Sequence, residues 1–194
     1  MKVNEIFQSL QGEGYHTGTP AVFVRLSGCN LSCPFCDTRH EEGCEMREQD
    51  IVEQVGRNAA QLVVVTGGEP ALQLTSSLVD ALHAIGKTVA VETNGTRPLP
   101  PQVDWITLSP KDAFLGPQAA PILTQANEIK VIFDGIHTPD EYKGITISHA
   151  RFLQPCDTGN TDRNRRIIRQ TVDFLLQHPQ WRLSLQTHKL LGIR

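Results

Sequence analysis

The chain has 194 residues, of which 39% are hydrophobic and 20% charged, and a formal net charge of −3. These values describe a single domain, residues 1–194, with enough apolar content for a core, and they exclude the broad basic field that nonspecific nucleic-acid binding requires. There is no run of about 18 apolar residues and no signal-peptide pattern at the start, so a cytoplasmic protein without a membrane or direct nucleic-acid partner is expected.

In chain order, residues 21–26 read as the first core strand, 48–60 as a helix, and 62–66 as a second strand. A helix at 72–85 is closed by Gly86, a residue type suited to the left-handed turn after a helix. Strands follow at 88–92, 105–109, 128–133 and 151–154. The clearest helix is 162–178, where Ile167, Ile168, Val172, Leu175 and Leu176 make one apolar stripe and Pro179 is the stop. A last strand is predicted at 182–186. Strands alternating with helices imply parallel pairing. A closed eight-stranded barrel takes about 250 residues, so the expected fold is α/β, an open partial (β/α) barrel. The connections 116–125 and 134–144 hold Gly116, Pro117, Pro121, Gly135, Pro139 and Gly144, which trims the helical layer there.

Three of the five cysteines fall within eight residues, in Cys29-Asn30-Leu31-Ser32-Cys33-Pro34-Phe35-Cys36. That density points to a metal site in a reducing compartment rather than to disulfides. Three thiolates can hold three irons of a 4Fe–4S cluster and leave the fourth open to a small molecule. On their own, Cys29, Cys33 and Cys36 with His40 fit a tetrahedral zinc site equally well. Cys44 lies near enough in sequence to be a further ligand but flanks an acidic, irregular run, and Cys156 reads as a small residue lining a turn.

In barrels of this kind chemistry gathers at the C-terminal ends of strands. Six polar loops fall there: 28–36, Thr66-Gly67-Gly68-Glu69-Pro70, Glu92-Thr93-Asn94-Gly95-Thr96, Ser109-Pro110-Lys111, Gln154-Pro155 and Thr187-His188-Lys189. The paired glycines permit close approach of a ligand to the backbone, although a plain strand-to-helix turn uses the same residues.

The cysteine triplet together with Gly67-Gly68-Glu69-Pro70 resembles the radical S-adenosylmethionine (SAM) superfamily. Within it, Asn4-Glu5-Ile6-Phe7-Gln8-Ser9-Leu10-Gln11-Gly12-Glu13-Gly14, Arg25-Leu26-Ser27-Gly28-Cys29, Cys36-Asp37-Thr38, Ser109-Pro110-Lys111 and Leu185-Gln186-Thr187-His188-Lys189 are similar to the 7-carboxy-7-deazaguanine synthase family. The resemblance runs along the whole chain. It implies a carbon–nitrogen lyase of queuosine (7-deazapurine) biosynthesis, a pathway that serves tRNA modification. Such an enzyme converts 6-carboxy-5,6,7,8-tetrahydropterin to 7-carboxy-7-deazaguanine with loss of ammonia, through hydrogen abstraction and Mg²⁺-assisted ring contraction, with SAM regenerated.

The resemblance also implies site residues. Cys29, Cys33 and Cys36 would hold the 4Fe–4S cluster and Thr38 the Mg²⁺. Leu10, Gln11, Gly12, Glu13, Arg25, Thr66, His188 and Arg194 would bind the pterin. SAM would meet Phe35, Cys36, Asp37, Gly68, Glu92, Asn94, Ser109, Pro110, Lys111, Gln154, Pro155, Cys156 and Asp157. The residue types suit these roles: a guanidinium forks onto a carboxylate, and a hydroxyl is a hard donor acceptable to Mg²⁺. The family implies a homodimer and an electron donor; Arg163, Arg165, Arg166 and Arg169 at the start of the last long helix suit an acidic flavodoxin-like reductant. Here the segment 39–49 after the cysteine loop is shorter than in many relatives. Two alternatives stand beside this reading: a glycyl-radical activase of the same superfamily, and a zinc-binding module without catalysis.

Overall fold

The computed structural model describes residues 1–38, 40–137, 139 and 142–194. Arg39, which opens the short segment after the cysteine loop, and Thr138, Asp140 and Glu141 of the 134–144 connection lie outside the described residues.

Strands β1 (Lys2–Leu10) and β2 (Pro20–Leu26) form an antiparallel hairpin, and β3 (Cys44–Glu45) pairs with the other edge of β1. Helix α1 (Glu48–Gly56) leads to β4 (Leu62–Gly67), and α2 (Ser76–Ala84) leads to β5 (Thr88–Thr93). Then come β6 (Trp105–Leu108), the one-turn helix α3 (Asp112–Leu115), β7 (Gln125–Phe133), β8 (Thr146–Pro155), α4 (Thr161–Gln177), β9 (Trp181–Leu183) and α5 (Thr187–Leu191). The sheet order is β3-β1-β2-β4-β5-β6-β7-β8-β9, parallel from β2 to β9. This is the expected partial barrel, open between β1 and β9.

The strands follow the apolar runs because these are buried on both faces, as a covered parallel sheet requires. One face packs Val22, Val24, Leu26, Val63, Val65, Val89 and Val91 against Ile51 and Val55 of α1 and Leu78, Val79 and Leu82 of α2. A second cluster joins Ile129, Val131 and Leu153 to Ile167 of α4 and Trp181. The connections from β5 to β6 and, among the described residues, from β7 to β8 carry no helix, as the glycines and prolines predict for the second. Helices α2 and α4 start on side-chain caps. Thr75 Oγ1 accepts from Leu78 N at 3.1 Å, and Asn160 Oδ1 accepts from Arg163 N at 2.9 Å.

Several boundaries differ from the sequence expectation. The helix expected to reach residue 60 stops at Gly56, because Asn58 and Ala60 turn their carbonyls to the Lys87 ammonium at 2.7 Å. The helix expected from residue 72 starts at Ser76, after a separate 3₁₀ turn at Pro70–Leu72. The last strand is Trp181–Leu183 rather than 182–186, since Ser184 turns inward. Strand β1 and helices α3 and α5 had no place in the sequence expectation.

Candidate active site

On the sheet face away from α1 and α2, alternate residues are polar. Arg25 of β2, Thr66 of β4, Glu92 of β5, Lys130 of β7 and Gln154 of β8 all line one cavity of about 1110 Å³. The period-2 geometry of the strands makes this possible: the apolar partners of these residues point to the helices while their side chains point inward. Below them the inner face becomes apolar, with Phe23, Val64, Ala90 and Trp105.

The floor is a strap, residues 11–15, that crosses from the end of β1 toward β9. Thr187 N and Oγ1 donate to Gly12 O at 3.0 and 2.9 Å, Ser184 Oγ accepts from Gly14 N at 3.0 Å, and Tyr15 N donates to Glu128 Oε2 at 2.8 Å. A Cβ at Gly12 would meet His188 Nδ1 at 2.3 Å, so a larger residue there would displace the imidazole. The strap and the residues after β9 together bridge the open seam of the barrel.

Charge concentrates on this floor. Lys130, 4% exposed, sits between Glu13, which it contacts directly, and Glu92 Oε1 at 3.7 Å. Glu92 also accepts from Gln11 Nε2 at 3.0 Å and Thr66 Oγ1 at 3.1 Å, and Glu13 accepts from Gln186 Nε2 at 3.0 Å. Burial alone would push the Glu13 carboxyl up, but the Lys130 ammonium and the surrounding donors override it and bring its pKa down to about 2. Lys130 is raised: its burial, which opposes the charge, is outweighed by the surrounding carboxylates. Nearby, Glu128 is pushed up by burial, although Thr107 Oγ1 donates to it at 2.8 Å.

The rim is built from the loops at the strand ends. Glu69, 1% exposed, accepts from Ala71 N at 3.0 Å, Thr93 Oγ1 at 2.7 Å and Asn94 N at 2.7 Å, and so fastens the loop after β4 to the loop after β5. The paired glycines line the cavity and also admit the chain's own backbone, since a Cβ on Gly68 would stand 1.9 Å from Gly28 O. Glu69 N donates to that same oxygen at 2.8 Å, which pins the cysteine loop to the loop after β4. Phe35 packs edge-on against Phe114 of α3, centroids 4.6 Å apart, and anchors the loop's far side. Lys111 donates to Ser109 O and Oγ at 2.6 and 2.7 Å, and burial pulls its pKa down to about 8.

The cysteines are free thiols, and Cys29, Cys33 and Cys36 all line the cavity. Burial raises the Cys29 and Cys33 thiols, and the neighbouring cysteines add to the effect. Three soft sulfurs on one loop, facing the cavity, fit the corners of an iron–sulfur cluster. Among the described residues no three His, Cys, Asp or Glu side chains gather as a single ion would require. Cys44, on β3, does not line the cavity, whereas Cys156 is buried against it.

All the residues expected in the site line this one cavity except Pro110, which is buried beside it. Arg25 Nε pairs with Glu5 Oε1 at 2.8 Å, and its NH1 reaches Thr38 Oγ1 at 3.4 Å. Arg194 pairs with Glu5 from the opposite side and lies over the Phe7 ring. Asp37 and Asp157 share the Lys189 ammonium at 3.1 and 2.9 Å. Lys130, Glu128, Ser184 and Gln186 had not been anticipated. The signal for the first two was present: Glu128-Ile129-Lys130-Val131 puts two charges on one face of a strand otherwise made for burial.

Comparison with known proteins agrees with this geometry. Residues 23–173 match the family model of the radical SAM superfamily. The chain is 52% identical to the 7-carboxy-7-deazaguanine synthase of Bacteroides thetaiotaomicron, over 100% of this chain and 98% of that protein. It is 39% identical to the 7-carboxy-7-deazaguanine synthase of Bradyrhizobium diazoefficiens, over 99% and 98%. The crystal structure of QueE from Escherichia coli superposes with a TM-score of 0.72 at 30% identity, over 95% of this chain and 92% of that one.

Proposed function

The chain belongs to the 7-carboxy-7-deazaguanine synthase family of the radical SAM superfamily, and from that premise we propose how its own residues carry the reaction. It is a lyase of 7-deazapurine biosynthesis that works with a 4Fe–4S cluster and SAM. Its proposed substrate is 6-carboxy-5,6,7,8-tetrahydropterin, its product 7-carboxy-7-deazaguanine, and its SAM is regenerated at each turnover. The observation that carries this reading is that the cysteine loop and the charged floor face one cavity.

When bound, the cluster and SAM supply one-electron hydrogen abstraction, and Mg²⁺ supplies a Lewis acid for the substrate carboxylate. Cys29, Cys33 and Cys36 hold three of the irons. Phe35, Asp37, Gly68, Asn94, Ser109, Lys111 and the turn Gln154-Pro155-Cys156-Asp157 embrace SAM, with Pro110 supporting them. The Thr38 hydroxyl is the protein's oxygen for Mg²⁺, and the Arg25 guanidinium next to it directs the substrate carboxylate to the same place. His188 and Arg194 close over the pterin, while Leu10, Gln11, Gly12 and Thr66 shape its seat. Glu13 accepts from the N–H groups of its ring. Glu92, assigned on the sequence to SAM, is better read as part of the pterin seat, because its hydrogen-bond partners are Gln11 and Thr66.

A single domain over residues 1–194, a homodimer and a flavodoxin-like reductant belong to the same proposal. Arg163, at the start of α4, lines the cavity mouth, where an acidic donor has access. No helix among the described residues is long and apolar enough to cross a membrane.

The test is an anaerobic assay of reconstituted protein with dithionite, SAM, Mg²⁺ and 6-carboxytetrahydropterin, read by mass spectrometry. Formation of 7-carboxy-7-deazaguanine in excess of the SAM supplied is the expected result. Release of 5′-deoxyadenosine without that product would remove the pterin as substrate.

A further inference from the structure

The floor of the cavity holds two carboxylates and one ammonium. Glu13 is presented by the strap, Glu92 by β5, and Lys130 by β7. The other charged groups that face Lys130 are Glu128, two residues earlier on β7, and Lys111, beyond the end of β6. From β8, Phe152 pairs with Lys130 and Gln154 reaches Glu13; neither is charged. A carboxyl buried as Glu13 is, with a second carboxyl near it, does not stay ionised without a cation against it. Lys130 is that cation, and its stem is locked in the sheet.

We infer that Lys130 is a positioning residue for substrate recognition: it keeps Glu13 ionised beside Glu92, so that Glu13 offers only acceptors to the cavity and selects a heterocycle edge made of N–H donors. The inference rests on the pterin reading above and deepens it. An ionised carboxylate has about four acceptor positions. Glu13 spends its contacts on Lys130, Gln186 and Gln154, and Glu92 on Gln11, Thr66 and Lys130, which leaves about one acceptor position on each toward the cavity. An amino group beside a ring N–H fills them. A protonated carboxyl would place a donor there and repel the same edge. Lys130 therefore acts through Glu13 and not by touching the reacting carbon.

The experiment measures binding of 6-carboxypterin, an oxidised and non-reacting probe, by fluorescence quenching to the cluster-loaded, SAM-bound protein between about pH 5.5 and 7.5. Wild-type affinity is expected to be flat across this range. Lys130→Met, close in shape but uncharged, is expected to bind about tenfold more weakly at the acid end and to recover as the pH rises and Glu13 ionises. In the Glu13→Gln background, Lys130→Met should add little pH dependence, because the titrating acceptor is gone. Uniform loss at all pH values in Lys130→Met would mark Lys130 as a direct ligand contact or a structural prop, and unchanged binding would mark it as idle; either overturns the inference. A second measurement needs neither Lys130→Met nor the probe. The infrared difference between wild type and Glu13→Gln should show an ionised carboxylate down to about pH 4. A protonated carboxyl band near pH 6 overturns the inference. If wild type fails to bind 6-carboxypterin while Glu13 is found ionised, the pterin reading falls and the role of Lys130 in setting the floor's charge stands.

Discussion

Glu13 and Glu69 are buried carboxylates of one molecule whose surroundings drive them in opposite directions. Burial raises Glu69 despite its three donors, whereas at Glu13 the Lys130 ammonium outweighs burial. Because the folded pKa of Glu13, about 2, lies below its unfolded value near 4.5, its stabilising contribution is complete above about pH 4.5 and is lost as pH falls toward 2. The stability gap between wild type and Glu13→Gln in urea should therefore hold steady from pH 7 to about 5 and shrink below that; a gap that widens with acid would contradict the assigned pairing. Gly68 makes a second residue-scale prediction. Gly68→Ala forces the loops after β2 and β4 apart, since Gly28 O has no room for a methyl. It should cost about 3 kcal/mol and lower the iron retained after reconstitution, both readable from a melt and an iron assay. The sequence identified the glycine pair but not its contact with Gly28, because a contact between two backbones leaves no trace in side-chain pattern.

At the scale of elements, legibility followed periodicity. The clearest sequence helix, expected at 162–178, is α4 at Thr161–Gln177, one residue displaced at each end. Its stripe divides, however: Ile167 is 2% exposed and Leu176 is 80% exposed. Ile167→Ala should destabilise by about 2–5 kcal/mol, while Leu176→Ala should stay within about 0.5 kcal/mol; comparable losses in denaturant melts would mean that the helix packs on a different face. The apolar runs of β2, β4 and β5 were found because both faces are covered. Strand β1, Lys-Val-Asn-Glu-Ile-Phe-Gln-Ser-Leu, escaped because it lies near the sheet edge with Glu5 and Phe7 beside the substrate seat, so neither alternation nor an apolar run marks it. Helix α5 is a five-residue turn with no buried residue, and such an element exists only through contacts that sequence does not display.

At the scale of the molecule, the barrel is open and its seam is filled by segments from the two ends of the sequence. Residues 190–194 return to β1, where Ser9 Oγ donates to Arg194 O and the Arg194 guanidinium pairs with Glu5. Removing residues 190–194 should therefore weaken 6-carboxypterin binding about tenfold or more, with iron content and reductive SAM cleavage retained because the cysteine loop and the loops after β4, β5 and β6 are untouched. Equal pterin affinity in the shortened chain would show that the seam closes without them. The sequence announced five polar loops at the strand ends, since each follows an apolar run, whereas Thr187-His188-Lys189, expected as a sixth, lies in α5. It named Gln11, Gly12 and Glu13 of the floor but not their joining to the end of the chain, which brings together residues 170 to 175 apart.

That separation has a consequence for how the protein is made. Ser184, Gln186 and Thr187 bond to Gly14, Glu13 and Gly12, so the strap, which can already meet Glu92, Glu128 and Lys130, gains its last partners only when almost the whole chain has left the ribosome. The hairpin of β1 and β2 and the βαβ units behind it can form early from near neighbours, with the thiol loop already attached. During synthesis the three thiols thus stand on a folded half-barrel while the substrate seat beneath them is still open to water. Contacts of such long loop closure form late and open first, and hydrogen exchange should find the weakest protection at the strap.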